Sequence, residues 1–191
     1  MDSTQHMEDN NMSKIVVLKG SPRKNGNSNT MAAAFVEEAR RLGIDVTEYD
    51  AANLKIEGCR ACGACAGTGK CVFHDDFERV AADIISADGI VIASPVYWYS
   101  FPAKLKALID RFFGIYMGGK NFSGKKTALL CCCEDETSES FNGICFAFEK
   151  SMELMGAELT GEVLIHSVNE IGDIKHTDGE AQARTLAAKF V

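Results

Sequence analysis

Short apolar runs alternate with amphipathic stretches along most of the chain. Residues 15–18 (Ile-Val-Val-Leu) are continuously apolar, as expected of a strand buried on both faces. Residues 29–42 then set Met31, Phe35, Ala39 and Leu42 on one helical stripe, and Gly43 ends the helix. Further strands are predicted at 44–49, 89–93, 127–132 and 158–165. Further helices are predicted from an Asp75 or Asp76 cap through 86, and over 102–113, 138–155 and 180–190. A Gly- and Cys-rich loop fills 51–74. Five strands interleaved with five helices predict an α/β fold, a doubly wound five-stranded parallel sheet with helices on both faces. Right-handed crossovers favour the strand order 2-1-3-4-5. A ligand is then expected between the first and third strands, over residues 20–28 and 94–102.

The first of these loops reads Gly20-Ser-Pro-Arg-Lys-Asn-Gly-Asn-Ser28. It leads into a helix whose N-terminus points unpaired N–H groups and positive dipole at whatever the loop holds, which suits an anion. Ser21, Asn25, Asn27, Ser28 and Thr30 add neutral donors, and Arg23 adds a charged fork matched to phosphate oxygens. The Gly-Lys-Ser/Thr ending of an ATPase loop is absent, and Gly20 and Gly26 miss the G-x-G-x-x-G spacing. A terminal monophosphate fits better than a triphosphate. The competing reading is a plain strand-to-helix turn with Asn and Ser as caps.

The second loop reads Ser94-Pro-Val-Tyr-Trp-Tyr-Ser-Phe-Pro102. Tyr97, Trp98 and Tyr99 cannot all bury their rings in one core. They stand where a flat ring system would lie if its phosphate tail occupied the first loop. An aromatic patch at a subunit interface is the competing reading, and both can hold together. Residues 133–138, after the fourth strand, are expected to form a third edge.

A length of 191 residues with 46% hydrophobic composition fits one domain, predicted at 14–191. Residues 1–13 are polar and acidic, as in a disordered tail or cloning remnant, and carry no apolar signal core. A net charge of −7 without a dense basic run argues against nucleic acid. No apolar run is long enough to span a bilayer, so a soluble cytoplasmic protein is expected.

Eight cysteines in such a protein point to metal or redox chemistry rather than a disulfide framework. Cys59, Cys62, Cys65 and Cys71 lie in one tight loop. Zinc fits least, because its cysteine pairs usually stand a dozen or more residues apart. A [4Fe–4S] cluster takes three thiolates from C-x2-C-x2-C, with Cys71 left to complete it. The third reading is a set of reduced thiols in a substrate-covering loop. Cys131 and Cys132 read as small buried residues. His6, His74, His166 and His176 are scattered, and no G-x-S-x-G elbow supports an esterase triad.

The two cleft loops, the second extended through Ala103-Lys-Leu-Lys-Ala-Leu-Ile-Asp-Arg-Phe112, resemble the NAD(P)H-dependent FMN reductase and iron–sulfur flavoprotein group. The resemblance covers nearly the whole chain from Lys14 and implies a flavodoxin-like fold, noncovalent FMN and a homodimer or dimer of dimers. It implies that Ser21, Arg23, Asn27, Ser28 and Asn29 hold the FMN phosphate, while Pro95, Val96, Tyr97 and Trp98 border the ring. Asp110 and Arg111 are expected in structural or interfacial ion pairs. No catalytic side chain is implied, because flavin N5 carries the chemistry. The implied activity passes electrons from NAD(P)H to a quinone, nitro compound or flavin. The alternative is an electron carrier or redox sensor, with a [4Fe–4S] cluster held by the four loop cysteines and a redox protein as partner. A flavin-free module of the same fold would need an acidic cluster at its strand ends, where this chain has Ser21 to Ser28.

Overall fold

The computed structural model describes residues 13–191, so the predicted tail lies outside the described residues apart from Ser13. Five parallel strands, β1 (Lys14–Lys19), β2 (Asp45–Asp50), β3 (Gly89–Pro95), β4 (Lys126–Cys132) and β5 (Glu158–Ile165), form one sheet. Their order is the expected β2-β1-β3-β4-β5. The helices are α1 (Asn27–Arg41), α2 (Phe77–Ser86), α3 (Ala103–Asp110), α4 (Phe112–Met117), α5 (Asn142–Leu154) and α6 (Gly179–Ala187). Among the described residues, no helix is long and apolar enough to cross a membrane.

The unbroken apolar run of β1 follows from burial on both sides. Ile15 and Val17 join a core with α1 and α6, while Val16 and Leu18 join a second core with α2, α3, α4 and α5. Successive side chains of a strand point to opposite faces, so a strand between two helical layers needs apolar residues at every position.

Two boundaries differ from expectation in ways that matter for function. Helix α1 starts at Asn27, with Gly26 as its cap and Thr30 N–H closing on the Gly26 carbonyl at 3.0 Å. The helix expected over 102–113 is broken at Arg111 into α3 and α4. Apolar periodicity runs straight through the break; the cause is electrostatic. Arg111 is 2% exposed and donates from one nitrogen to Asp75 Oδ2 and the Glu57 carbonyl, both at 2.9 Å. Its guanidinium also lies over the rings of Phe77 (4.7 Å) and Phe73 (5.3 Å). A buried cation persists only when paired in this way. Asp110 instead pairs with Lys106 on the surface at 2.6 Å. Asp75, rather than Asp76, accepts the first N–H of α2, from Phe77 at 3.1 Å.

Burial pushes the Asp75 carboxyl up, but hydrogen bonds from Arg111 and from the Glu57 and Phe77 amides outweigh it and hold the group below 3.8. Its contribution to stability is therefore complete above that ordinary value and drains away as pH falls through the lower folded value. Arg111→Ala would strand the carboxylate, and about 3–5 kcal/mol of stability should be lost in urea unfolding at neutral pH. Asp75→Asn should remove part of the wild-type chain's acid sensitivity below pH ~4. An unchanged midpoint in the Arg111 variant would show that the pair does not hold α3, α4 and residues 57–75 together.

Candidate functional site

A cleft of about 310 Å³ opens where β1, β3, β4 and β5 end. Ser21, Arg23, Asn27 and Ser28 line one side, and Pro95, Val96, Tyr97 and Trp98 line another. Cys132, Cys133 and Glu134 form the third edge expected after β4. Val168 and Asn169 add a fourth wall, which the reading of the sequence missed. Val168 N–H donates to the Cys133 carbonyl at 3.0 Å, so the exits of β4 and β5 are laced together. Asn29 does not line this cleft; it borders a separate groove on the other side of the loop.

Glycine makes the phosphate-sized end of the cleft possible. Gly20 N–H reaches the Ala93 carbonyl at 2.8 Å, and a Cβ there would meet Leu105 at 2.6 Å. A Cβ on Gly26 would meet Ser21 Oγ at 2.7 Å. The N–H groups of Asn27, Ser28 and Asn29 precede the first helical hydrogen bond, and no acidic residue stands in the first turn. Ser28 is 1% exposed and its Oγ has no hydrogen-bond partner. Amides that no helical carbonyl reaches match the oxygens of a phosphate monoester, while the buried Ser28 hydroxyl faces the Cys132 thiol. These residues fit the phosphate end of FMN.

Arg23 and Asn27 also bridge the fourth wall. Arg23 donates to the Asn169 carbonyl at 2.7 Å. Asn27 donates from Nδ2 to the Glu170 carbonyl at 2.9 Å, and its Oδ1 accepts from the Gly172 and Ile174 amides. Its side chain is therefore engaged in bracing, and what Asn27 offers the cleft is its backbone N–H.

At the opposite end, Tyr97 and Ser100 exchange backbone hydrogen bonds at 2.9 and 3.0 Å around a two-residue turn. Trp98 (φ 48°) and Tyr99 (φ 60°) are both left-handed. That turn normally uses Gly, Asn or Asp, so bulky aromatics there carry backbone strain of order 1–3 kcal/mol each. Gly143, in the first turn of α5, packs so closely on the Tyr99 carbonyl that a Cβ would overlap it. The turn holds Trp98 in solvent, 95% exposed, as the sequence predicts for rings that no core accepts.

The four loop cysteines border one small hollow of about 20 Å³, with Arg111 and Phe73 in its wall. Cys59 and Cys62 are exposed, Cys65 is buried and Cys71 is half-buried. The Ala64 amide and then Arg60 hold the Cys62 thiol below its ordinary value. The donor set suits an iron–sulfur cluster in kind and number. Among the described residues, however, no three Cys, His, Asp or Glu side chains converge as ligands, so a cluster would require this loop to draw inward. By contrast Cys131, Cys132 and Cys133 are buried, and desolvation raises all three thiols, Cys132 to about 12. His74 pairs with Glu78 at 2.9 Å on the surface, away from the cleft.

The sheet order and the position of the cleft define a flavodoxin-like α/β protein. Residues 13–139 match the family model described as NADPH-dependent FMN reductase, and the chain belongs to that family. It is 38% identical over 112 residues to an iron–sulfur flavoprotein of Methanosarcina thermophila, covering 59% of this chain and 58% of the relative. Overall the chain spans about half the length of the curated relatives it matches. Similar folds include an azoreductase from Bacillus anthracis (TM-score 0.71, 20% identity, 93% of this chain and 100% of that one). An NAD(P)H:quinone oxidoreductase from Methanothermobacter marburgensis is also similar (TM-score 0.67, 18% identity, 92% and 98%).

Trp98 is the chain's one tryptophan, so its emission reads the aromatic turn directly. Acrylamide should quench it almost as freely as it quenches a small indole in water. Gly143→Ala should shift that emission and lower stability by about 1–3 kcal/mol, because the turn must yield to the added methyl. Identical spectra and melting curves would show that α5 does not hold the turn.

Proposed function

We propose that this protein is an FMN-dependent oxidoreductase that passes electrons from NAD(P)H to a small acceptor of the quinone, nitro or flavin class. One observation carries the reading: an amide-lined helix terminus and an aromatic turn meet in a single cleft. That pairing matches a ligand with an anionic tail and a planar head. Bound FMN supplies hydride acceptance and the return of electrons singly or in pairs.

The protein's part is to bind and orient. Ser21, Arg23 and the amides of Asn27 and Ser28 would hold the phosphate, with Asn29 contributing its N–H from the same turn. Pro95, Val96, Tyr97 and Trp98 would border the ring. Val96 N–H is tied to the Cys132 carbonyl at 2.9 Å, which fixes that border to the sheet. Trp98 and Tyr99 are exposed apolar side chains that a second copy of the chain would cover in a homodimer or dimer of dimers.

A second reading is favoured by the four thiols around one hollow and by the name of the Methanosarcina relative. In it the loop from Cys59 to Cys71 holds an iron–sulfur cluster, and the protein carries electrons to a redox partner.

Titration with FMN should quench Trp98 and give a bound-flavin spectrum, and the loaded protein should oxidise NADPH or NADH with a quinone present. Arg23→Ala should weaken FMN about 10- to 100-fold, the scale of one charge-assisted contact to phosphate, while the urea midpoint stays near that of the parent chain. A colourless protein with unquenched Trp98 at saturating FMN would overturn the assignment. Cys62→Ser should abolish iron in anaerobically purified protein and spare FMN. Equal iron content in parent and variant would remove the cluster reading.

A further inference from the structure

The fourth wall of the cleft is the segment that leaves β5, and it folds back on the phosphate loop. Asp173 stands at the centre of that contact, half-buried. Its Oδ2 accepts from the Asn169 and Glu170 amides at 3.0 and 2.8 Å. The carbonyls of the same two residues face the loop: Asn169 accepts from Arg23 Nη1 at 2.7 Å and Glu170 from Asn27 Nδ2 at 2.9 Å. Asn27 Oδ1 in turn accepts from the Gly172 and Ile174 amides, on either side of Asp173, at 3.2 and 3.3 Å. Neither Asp173 nor Arg23 makes an ion pair among the described residues.

Arg23 is exposed and lines the cleft. Fixing a long, exposed side chain on a ligand costs conformational entropy unless something holds it beforehand. The Asn169 carbonyl does so through one N–H of Nη1, and four of the five guanidinium N–H groups remain for an anion. A carboxylate in the carbonyl's place would grip harder, but it would cancel the charge that attracts a phosphate. Asp173 avoids this by acting one bond further back. The Asn169 carbonyl and the Glu170 N–H belong to one planar trans peptide and point opposite ways. Drawing that N–H onto Asp173 therefore turns the carbonyl toward Arg23. Asn27 ties the backbone on both sides of Asp173 to α1, which keeps the carboxylate within reach of the peptide.

We infer that Asp173 is a positioning residue for the FMN phosphate: through the 169–170 peptide it presets the Arg23 guanidinium in the wall of the cleft before the ligand arrives. The inference rests on the flavin reading of that cleft. Asp173 acts on the phosphate only through Arg23, so its worth to binding vanishes once Arg23 is gone. A carboxylate that merely capped the turn at residues 173–176 would lower stability with or without Arg23 and leave affinity for FMN unchanged.

The test titrates the full chain with FMN and reads the emission of Trp98. Asp173→Ala should weaken FMN about five- to tenfold, less than loss of the guanidinium itself. In the Arg23→Ala background the same substitution should cost under about twofold. Asp173→Asn keeps an oxygen able to accept from both amides and should recover most of the loss. Equal losses in the two backgrounds, an Asp173→Ala variant that binds FMN like the parent, or an Asn variant as weak as the Ala one would overturn the inference. Hydrogen exchange on the parent needs no variant: with FMN bound, the Glu170 amide should exchange more slowly, because a phosphate that holds Arg23 also steadies the peptide gripping it. Unchanged exchange there would equally overturn the inference. FMN binding that ignores Asp173 leaves the proposed function standing, whereas a parent chain that binds no FMN ends that function and this inference together.

Discussion

The site depends on a reversal of winding between two neighbouring strands. The chain leaves β1 through α1, which packs on one face of the sheet, and leaves β3 through α3, which packs on the other. Parallel strands whose exits diverge in this way cannot cover their own carboxyl ends, so a crevice remains between them. Gly20 keeps the crevice narrow at its base, because only a residue without Cβ lets β1 end against Ala93 and Leu105. The N-terminus of α1 then points into the opening with amides that no helical carbonyl can reach. The suitability of this place for an anion follows from topology first and from residue chemistry second.

The strands and the two principal loops were legible because their signals are local. An apolar run marks β1, and a stretch of small polar residues followed by a helical stripe marks the loop and α1. What was hidden depends on contacts between residues far apart in the chain. Val168 and Asn169 reach the cleft because β5 is laced to β4 and because Arg23 and Asn27 grip the segment after it. Nothing near residue 168 announces this. The turn at Trp98 and Tyr99 was equally hidden, since neither is a residue that favours positive φ and its support comes from Gly143, more than 40 positions away. The break at Arg111 shows a tertiary demand overriding local pattern: periodicity continues into Phe112 and Phe113, but pairing with Asp75 draws the guanidinium inward.

Electrostatics then divides the cysteines into two kinds. Cys131 and Cys132 lie at the end of a strand between two apolar layers, with Cys133 next to them, and desolvation keeps all three protonated at neutral pH. Cys131 packs in the core below, and Cys132 and Cys133 serve as small packing residues in the floor of the cleft. Cys62 sits in a solvent-facing loop where the Ala64 amide and Arg60 favour the thiolate. The thiol that its surroundings turn toward the thiolate is thus Cys62, outside the cleft. The cleft itself presents hydroxyls, amides, one guanidinium, the carboxylate of Glu134, aromatic rings and the two protonated thiols of Cys132 and Cys133. Such a set can hold and orient a reactive group but accepts no hydride itself, and its two thiols are held protonated by burial. Hydride chemistry at this site would therefore need a bound redox group, for which the cleft supplies shape, charge and orientation.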